Sequence, residues 1–253
     1  MSLKTSYIIW MVLIIISFLL LCGFAHEWKQ IILLKDININ QTRYLYEDDI
    51  IKQTGLIIGM PLYSIDMDSV RQILLKNPYI SDVVINKQLS GVLDIKVFER
   101  EIKASIFVEK FYYLDNEARL LPKTKLKIIP NVPIISGIKL KKENYKSGYI
   151  INDEYILTAL RILDTTRSID DEFYSLISEI NLNENRDFLF LTNDFAIPII
   201  LGKENYNEKI LLLSSFWKQF VIENGSQNLK YVDARFKDQL VVKWKDIIHR
   251  NIL

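Results

Sequence analysis

The chain has 253 residues, and its 32 Lys plus Arg against 31 Asp plus Glu leave a formal net charge of +1. That balance, with no basic stripe along the chain, removes the electrostatic case for a nucleic-acid partner. The sole cysteine, Cys22, excludes a disulfide framework, so stability must come from ordinary apolar cores in one large or two medium domains.

Residues 7–25 carry no charged side chain. As a helix they would span roughly 28 Å, close to the hydrocarbon thickness of a bilayer. Tyr7 and Trp10 at one end, and Trp28 beyond Ala25 at the other, are placed as interface anchors. Two readings compete. A retained anchor leaves residues 1–6 as a cytoplasmic tail and exports the rest. A secretory signal would be cut after Ala25, since Gly23 and Ala25 are small and polar His26 and Glu27 follow. Length favours the anchor, because signal cores run about 7–15 apolar residues.

After a linker at 26–33, residues 34–100 read as a strand-helix-helix-strand-strand unit. Ile37 and Ile39 alternate with polar residues, and a helix over 47–54 stops at Gly55. Asp66 caps a second helix whose apolar positions are Val70, Ile73 and Leu74, and Asn77-Pro78 ends it. Strands over 80–86 and 93–98 flank the Ser90-Gly91 turn.

Residues 101–244 read as a mainly antiparallel sheet with helices on one side, followed by a tail at 245–253. Strands are expected over 103–108, 111–115 and 133–136. A helix capped at Asn152 carries Ile156, Leu160 and Leu163. Asp170, Asp171 and Glu172 read as the acidic first turn of a helix. A meander over 178–183, 187–192 and 196–201 has Pro198 at an edge or a strand start. The next helix should open on an Asn205/Glu208 capping box, with Tyr206, Ile210, Leu213, Trp217 and Phe220 on one face. A hairpin over 229–236 and 240–244 closes the chain.

The chemistry-bearing residues do not converge. His26 and His249 are the only histidines, and neither has a partner at metal-ligand spacing or a neighbouring nucleophile. No serine elbow, phosphate-cradling glycine loop or zinc-binding His-Glu-x-x-His occurs. The expectation is a binding or scaffold protein without catalytic residues, metal or cofactor.

In outline this order resembles the FtsQ/DivIB family of bacterial cell-division proteins, and the residues carry the likeness. Gly59-Met60-Pro61-Leu62 leading to Ile65-Asp66 is similar to the approach to the second helix of that family's POTRA domain. Asn77-Pro78 and the strand ending in Glu99-Arg100 continue it. Tyr112-Tyr113-Leu114-Asp115, Leu120-Leu121-Pro122 and Pro133 through Gly137 resemble the family's β domain, as do Tyr231-Val232-Asp233-Ala234-Arg235-Phe236 and Trp244. Ile102 and Ala234 stand where the family often has proline and leucine.

The resemblance implies an α+β protein with a transmembrane helix, a POTRA-like domain and a β domain. It implies an inner-membrane location with the N-terminus cytoplasmic and the bulk periplasmic. It also implies a non-enzymatic division scaffold that binds small coiled-coil proteins of the FtsB/FtsL type. The expected contacts are Tyr231, Arg235, Phe236, Val242 and Trp244, with Arg235 pairing a partner carboxylate. The alternative is a secreted binding or cell-wall-acting domain released by cleavage after Ala25.

Overall fold

The computed structural model describes residues 3–140 and 145–245, with side chains described for Tyr7, for residues 10–23 and from Ile32 onward. Leu3–Ile31 forms one continuous helix, α1, and its described side chains are exposed. Among the described residues, no helix is long and apolar enough to cross a membrane. Ala25 and Trp28, expected at the far end of a span, lie outside the described side chains.

Two compact units follow from the contacts: Met1–Arg100 with Leu126–Ile128, and Glu101–Lys125 with Ile129–Leu253. The first builds on β1 (Asp36–Ile39), α2 (Glu47–Thr54), α3 (Met67–Leu75), β2 (Ile80–Lys87) and β3 (Val92–Glu99). Its sheet has the order β1-β3-β2, with β1 parallel to β3 and β2 antiparallel to it. Asn40 extends the β1 ladder by one rung, because its side-chain amide exchanges hydrogen bonds with the Val97 backbone at 3.1 and 2.6 Å. Asp66 accepts from the Asp68 N–H at 3.1 Å and so caps α3 as expected.

Leu62 of the Gly-Met-Pro-Leu stretch is fully buried, joining Ile50, Val70, Leu74, Leu93 and Ile95 in the core. Ile73, expected on the buried face of α3, is more than a third exposed. Glu99 accepts from the backbone N–H groups of Tyr44 and Leu45, at 2.9 and 2.8 Å, and thereby holds the turn before α2.

The second unit contains β4 (Ala104–Val108), β5 (Lys110–Leu114), β6 (Leu120–Pro122), β7 (Ile134–Ser136), α4 (Glu154–Ile169), α5 (Asp171–Ser175), β8 (Ile177–Leu182), β9 (Phe188–Thr192), β10 (Pro198–Gly202), α6 (Tyr206–Phe216), β11 (Leu229–Asp233) and β12 (Val241–Trp244). The nine strands lie in the order β12-β11-β10-β9-β8-β7-β4-β5-β6. Five neighbouring pairs are antiparallel and three, β10–β11, β4–β7 and β7–β8, are parallel. One core joins alternate strand residues such as Ile106, Ile180, Phe190 and Val232 to Ile156, Leu160, Ile210 and Leu213 of the helices.

Several local expectations shift here. Asp153, one residue after the expected Asn152, caps α4 by accepting from the N–H groups of Tyr155 and Ile156. Asp170 caps α5, so the acidic run is a helix start. Pro198 begins β10, where its missing N–H costs nothing, although that strand is internal. The capping box does not form: Asn205 sits in the left-handed region at φ 58°, without a side-chain cap bond. Beyond α6 the turn Trp217–Val221 is π-helical. A π turn holds more residues than an α turn, and Val221 continues the buried face while Phe220 is exposed. Ile102, at the family's proline position, is buried.

Candidate functional site

The site is built where the sheet ends. Leu229 and Val232 anchor β11 in the core, and β11 lies parallel to β10, with Ile199 opposite Val232. β12 folds back antiparallel onto β11, with Val242 opposite Val232 and Val241 opposite Asp233. Among the described residues no strand covers the other side of β12. Lys245 donates its N–H to the Asn228 carbonyl at 2.7 Å. The period of two then turns the backbone groups of Val241 and Lys243 toward β11 and those of Val242 and Trp244 toward the open edge.

Arg235 follows β11 and is held in place by acids. Its Nη2 and Nε donate to the Asp233 carboxylate at 2.6 and 2.9 Å, and Nη1 reaches Asp187 Oδ2 at 3.4 Å. Both carboxylates are buried while the guanidinium is about half exposed. Burial pushes the Asp233 carboxyl up, but the Arg235 guanidinium outweighs it and holds the group below its usual range; Arg235 is held above its own. Gly202, at φ +82°, lies beneath this pair, and a Cβ there would stand 3.1 Å from the Arg235 Cγ. Any other residue would be strained and would crowd the arginine.

A cleft of about 580 Å³ opens beside this pair, lined by Glu208, Leu211, Leu212, Arg235 and Phe236 among others. Phe236 is 50% exposed and Leu211 is similarly open.

The five expected contact residues thus gather at one end of the sheet but play different parts. Arg235 and Phe236 stand in the connection after β11, not in a strand, and Arg235 already has intramolecular partners. Val242 and Trp244 point back and pack against the core. Tyr231 is half-buried opposite Lys243. Asp187 and Gly202 escaped the sequence reading. Asp187 shares no motif with Arg235, and the two meet only through the β9-β10-β11 neighbourhood. Of the anchor residues, Tyr7 and Trp10 are exposed on α1. Among the described residues no group of His, Cys, Asp or Glu is placed to hold a metal ion. His249 lies outside the described residues.

Comparison with known proteins gives this geometry a context. Residues 33–100 match the family described as POTRA domain, FtsQ-type, and residues 104–243 match FtsQ/DivIB, C-terminal related. The cell division protein FtsQ of Rhodothermus marinus is 25% identical over 89% of this chain and 82% of its own. FtsQ of Geobacter sp. (strain M21) is 26% identical over 83% and 75%. The cell division protein DivIB of Clostridium tetani is 26% identical over 91% and 85%. The C-terminal match alone takes in more than half of the chain and ends at Lys243, within β12. With both matches in the family's order, and relatives aligned along most of their length, the chain belongs to the FtsQ/DivIB family of cell-division proteins.

Proposed function

We propose that this protein is a non-enzymatic scaffold of the division machinery, tethered to the inner membrane by residues 7–25 with its N-terminus cytoplasmic and both domains outside. Its β domain takes up small coiled-coil division proteins of the FtsB/FtsL type at the C-terminal end of the sheet. The observation that carries the reading is the open edge of β12, a row of backbone donors and acceptors that a partner strand satisfies. Exposed Phe236 and the cleft against α6 supply the neighbouring apolar anchor.

The edge is tested by Val242→Pro in a pull-down with the coiled-coil partners. Proline removes the outward N–H while leaving the rungs to β11 in place. Loss of partner capture by a variant with unchanged thermal unfolding supports the reading, and full retention overturns it. The tether is tested by sequencing the N-terminus of the protein recovered from membranes. A mature chain beginning at His26 would replace the scaffold with a released domain.

A further inference from the structure

α1 ends at Ile31, and the next residue is already bonded to the POTRA domain: the Ile32 carbonyl accepts from the Leu62 N–H at 2.8 Å. Leu34 then exchanges hydrogen bonds with the loop after α2, from its N–H to the Met60 carbonyl at 2.8 Å and from the Gly59 N–H to its carbonyl at 2.7 Å. Lys35 donates to the Gly91 carbonyl in the β2–β3 turn at 2.8 Å. The register Asp36 opposite Val92 sets the start of β1, the start of β3 and the end of β2 at one end of the sheet. No slack therefore separates the helix from this end of the domain.

That end is unusually apolar for loops. Ile57 and Ile58 in the loop after α2 are 72% and 56% exposed, and Leu89 in the β2–β3 turn is 74% exposed. Leu33, at the junction itself, is also exposed. These residues lie on three separate segments, and the backbone bonds of Leu34 and Lys35 tie the loop after α2 and the β2–β3 turn to the residues that follow α1; Lys35 is exposed too. Loop tips usually carry polar residues, and single exposed apolar side chains are unremarkable. Four converging at a helix exit form a patch, which marks a contact surface.

We infer that this end of the POTRA domain rests on the bilayer surface, with Ile57, Ile58 and Leu89 dipping into the headgroup region. The inference builds on the membrane tether proposed above. Six helical steps lead from Ala25 to Ile31, about 9 Å of rise. The headgroup zone on each side of the hydrocarbon core is roughly 5–7 Å deep, so the domain begins about 2–4 Å outside it, within the reach of a Leu or Ile side chain. A helix tilt of about 20° lowers one flank of the domain further. Aliphatic side chains held there enter the zone in which interfacial segments bury their apolar faces, and Lys35 lies level with anionic headgroups. The domain would then be seated on the membrane, with a restricted orientation, instead of swinging on its tether.

The full chain, reconstituted alone in vesicles of phosphatidylethanolamine and phosphatidylglycerol, tests this. In a Cys22→Ser background, nitroxide labels are placed singly at Leu19→Cys in α1, at Ile57→Cys and Leu89→Cys, and at Ser81→Cys at the opposite end of the sheet. Power saturation then compares oxygen, which partitions into lipid, with a water-soluble nickel chelate. Labels at 19, 57 and 89 should be several-fold less accessible to nickel than the label at 81. If 19 reads lipid while 57 and 89 match 81, the seating is wrong and the tether stands. If 19 reads water, the tether fails and the seating with it. Protection at 57 and 89 that arises only after partner proteins are added assigns the patch to a protein contact and overturns the lipid assignment.

Discussion

The Arg235 guanidinium grips the Asp233 carboxylate two residues before it through two hydrogen bonds, with Nη2 to Oδ2 at 2.6 Å and Nε to Oδ1 at 2.9 Å. Removing it in Arg235→Met strands two buried acids, Asp233 and Asp187. Loss of one member of a fully buried pair costs about 3–5 kcal/mol; with the guanidinium half exposed we expect on the order of 2. Burial then acts on Asp233 against only the residue-235 backbone N–H and the Lys209 charge, and its pKa rises from the wild-type position. The deficit should therefore be largest at neutral pH and shrink as acid neutralises that carboxyl, as read by denaturant unfolding at several pH values.

Phe236 and Trp244 should separate under truncation. Phe236 is half exposed, so Phe236→Ala should change stability by no more than about 0.5 kcal/mol. The same change should weaken partner binding by about 2 kcal/mol, if the aromatic is an anchor. Trp244 packs on the core, so Trp244→Ala should lower thermal stability and binding together. Calorimetric titration alongside thermal melts distinguishes the two patterns.

Asp170 joins α5 to α6. Its carboxylate accepts from the N–H groups of Glu172 and Phe173, from the Ser214 hydroxyl and, at 2.8 Å, from Lys218. Burial pushes the group up, but Lys218 and Ser214 outweigh it and bring it down to about 2, from an ordinary 3.8. A depressed carboxyl contributes stability that is present above its unfolded pKa and lost as pH falls toward its folded value, here up to about 2 kcal/mol. Asp170→Asn keeps the helix cap and loses the ion pair. It should destabilise the protein at neutral pH, and the gap to wild type should narrow as pH falls from about 4 through about 2.

In the first unit, Lys127 Nζ lies 2.5 Å from the Glu47 carboxylate and 2.9 Å from the Thr42 hydroxyl. The lysine, with smaller help from Thr42 and the backbone, holds Glu47 down at about 2 against an ordinary 4.5. Its contribution is complete above pH 4.5 and disappears as pH falls toward 2. Lys127→Met should lower the unfolding temperature at pH 7, and the gap to wild type should close across that window.

Much of this could be read from the chain alone, wherever one local pattern decides. The strand at β2, the period-two run of β3, the Asp66 cap and the stop at Gly55 depend on neighbours within one turn or one strand, and they appear where expected. The FtsQ/DivIB motifs were visible for the same reason, being short and in order. The errors sit where distant parts meet. Phe220 has a helical repeat that fits a buried face, and the π turn after α6 removes it. Asn205 and Glu208 have capping-box spacing, but the left-handed backbone of Asn205 turns the side chain away.

By itself the sequence determined where most strands and helices lie, which segments are apolar enough to be buried and which family they compose, because periodicity and short motifs are properties of adjacent residues. Only the tertiary structure decided that Arg235 is held by Asp233 and by Asp187, 48 residues earlier. It alone showed β11 parallel to β10 and brought the loop after α2 and the β2–β3 turn to the residues that follow α1. Those relationships depend on the order of strands in a sheet and on which loops share one of its ends, and no local pattern encodes either.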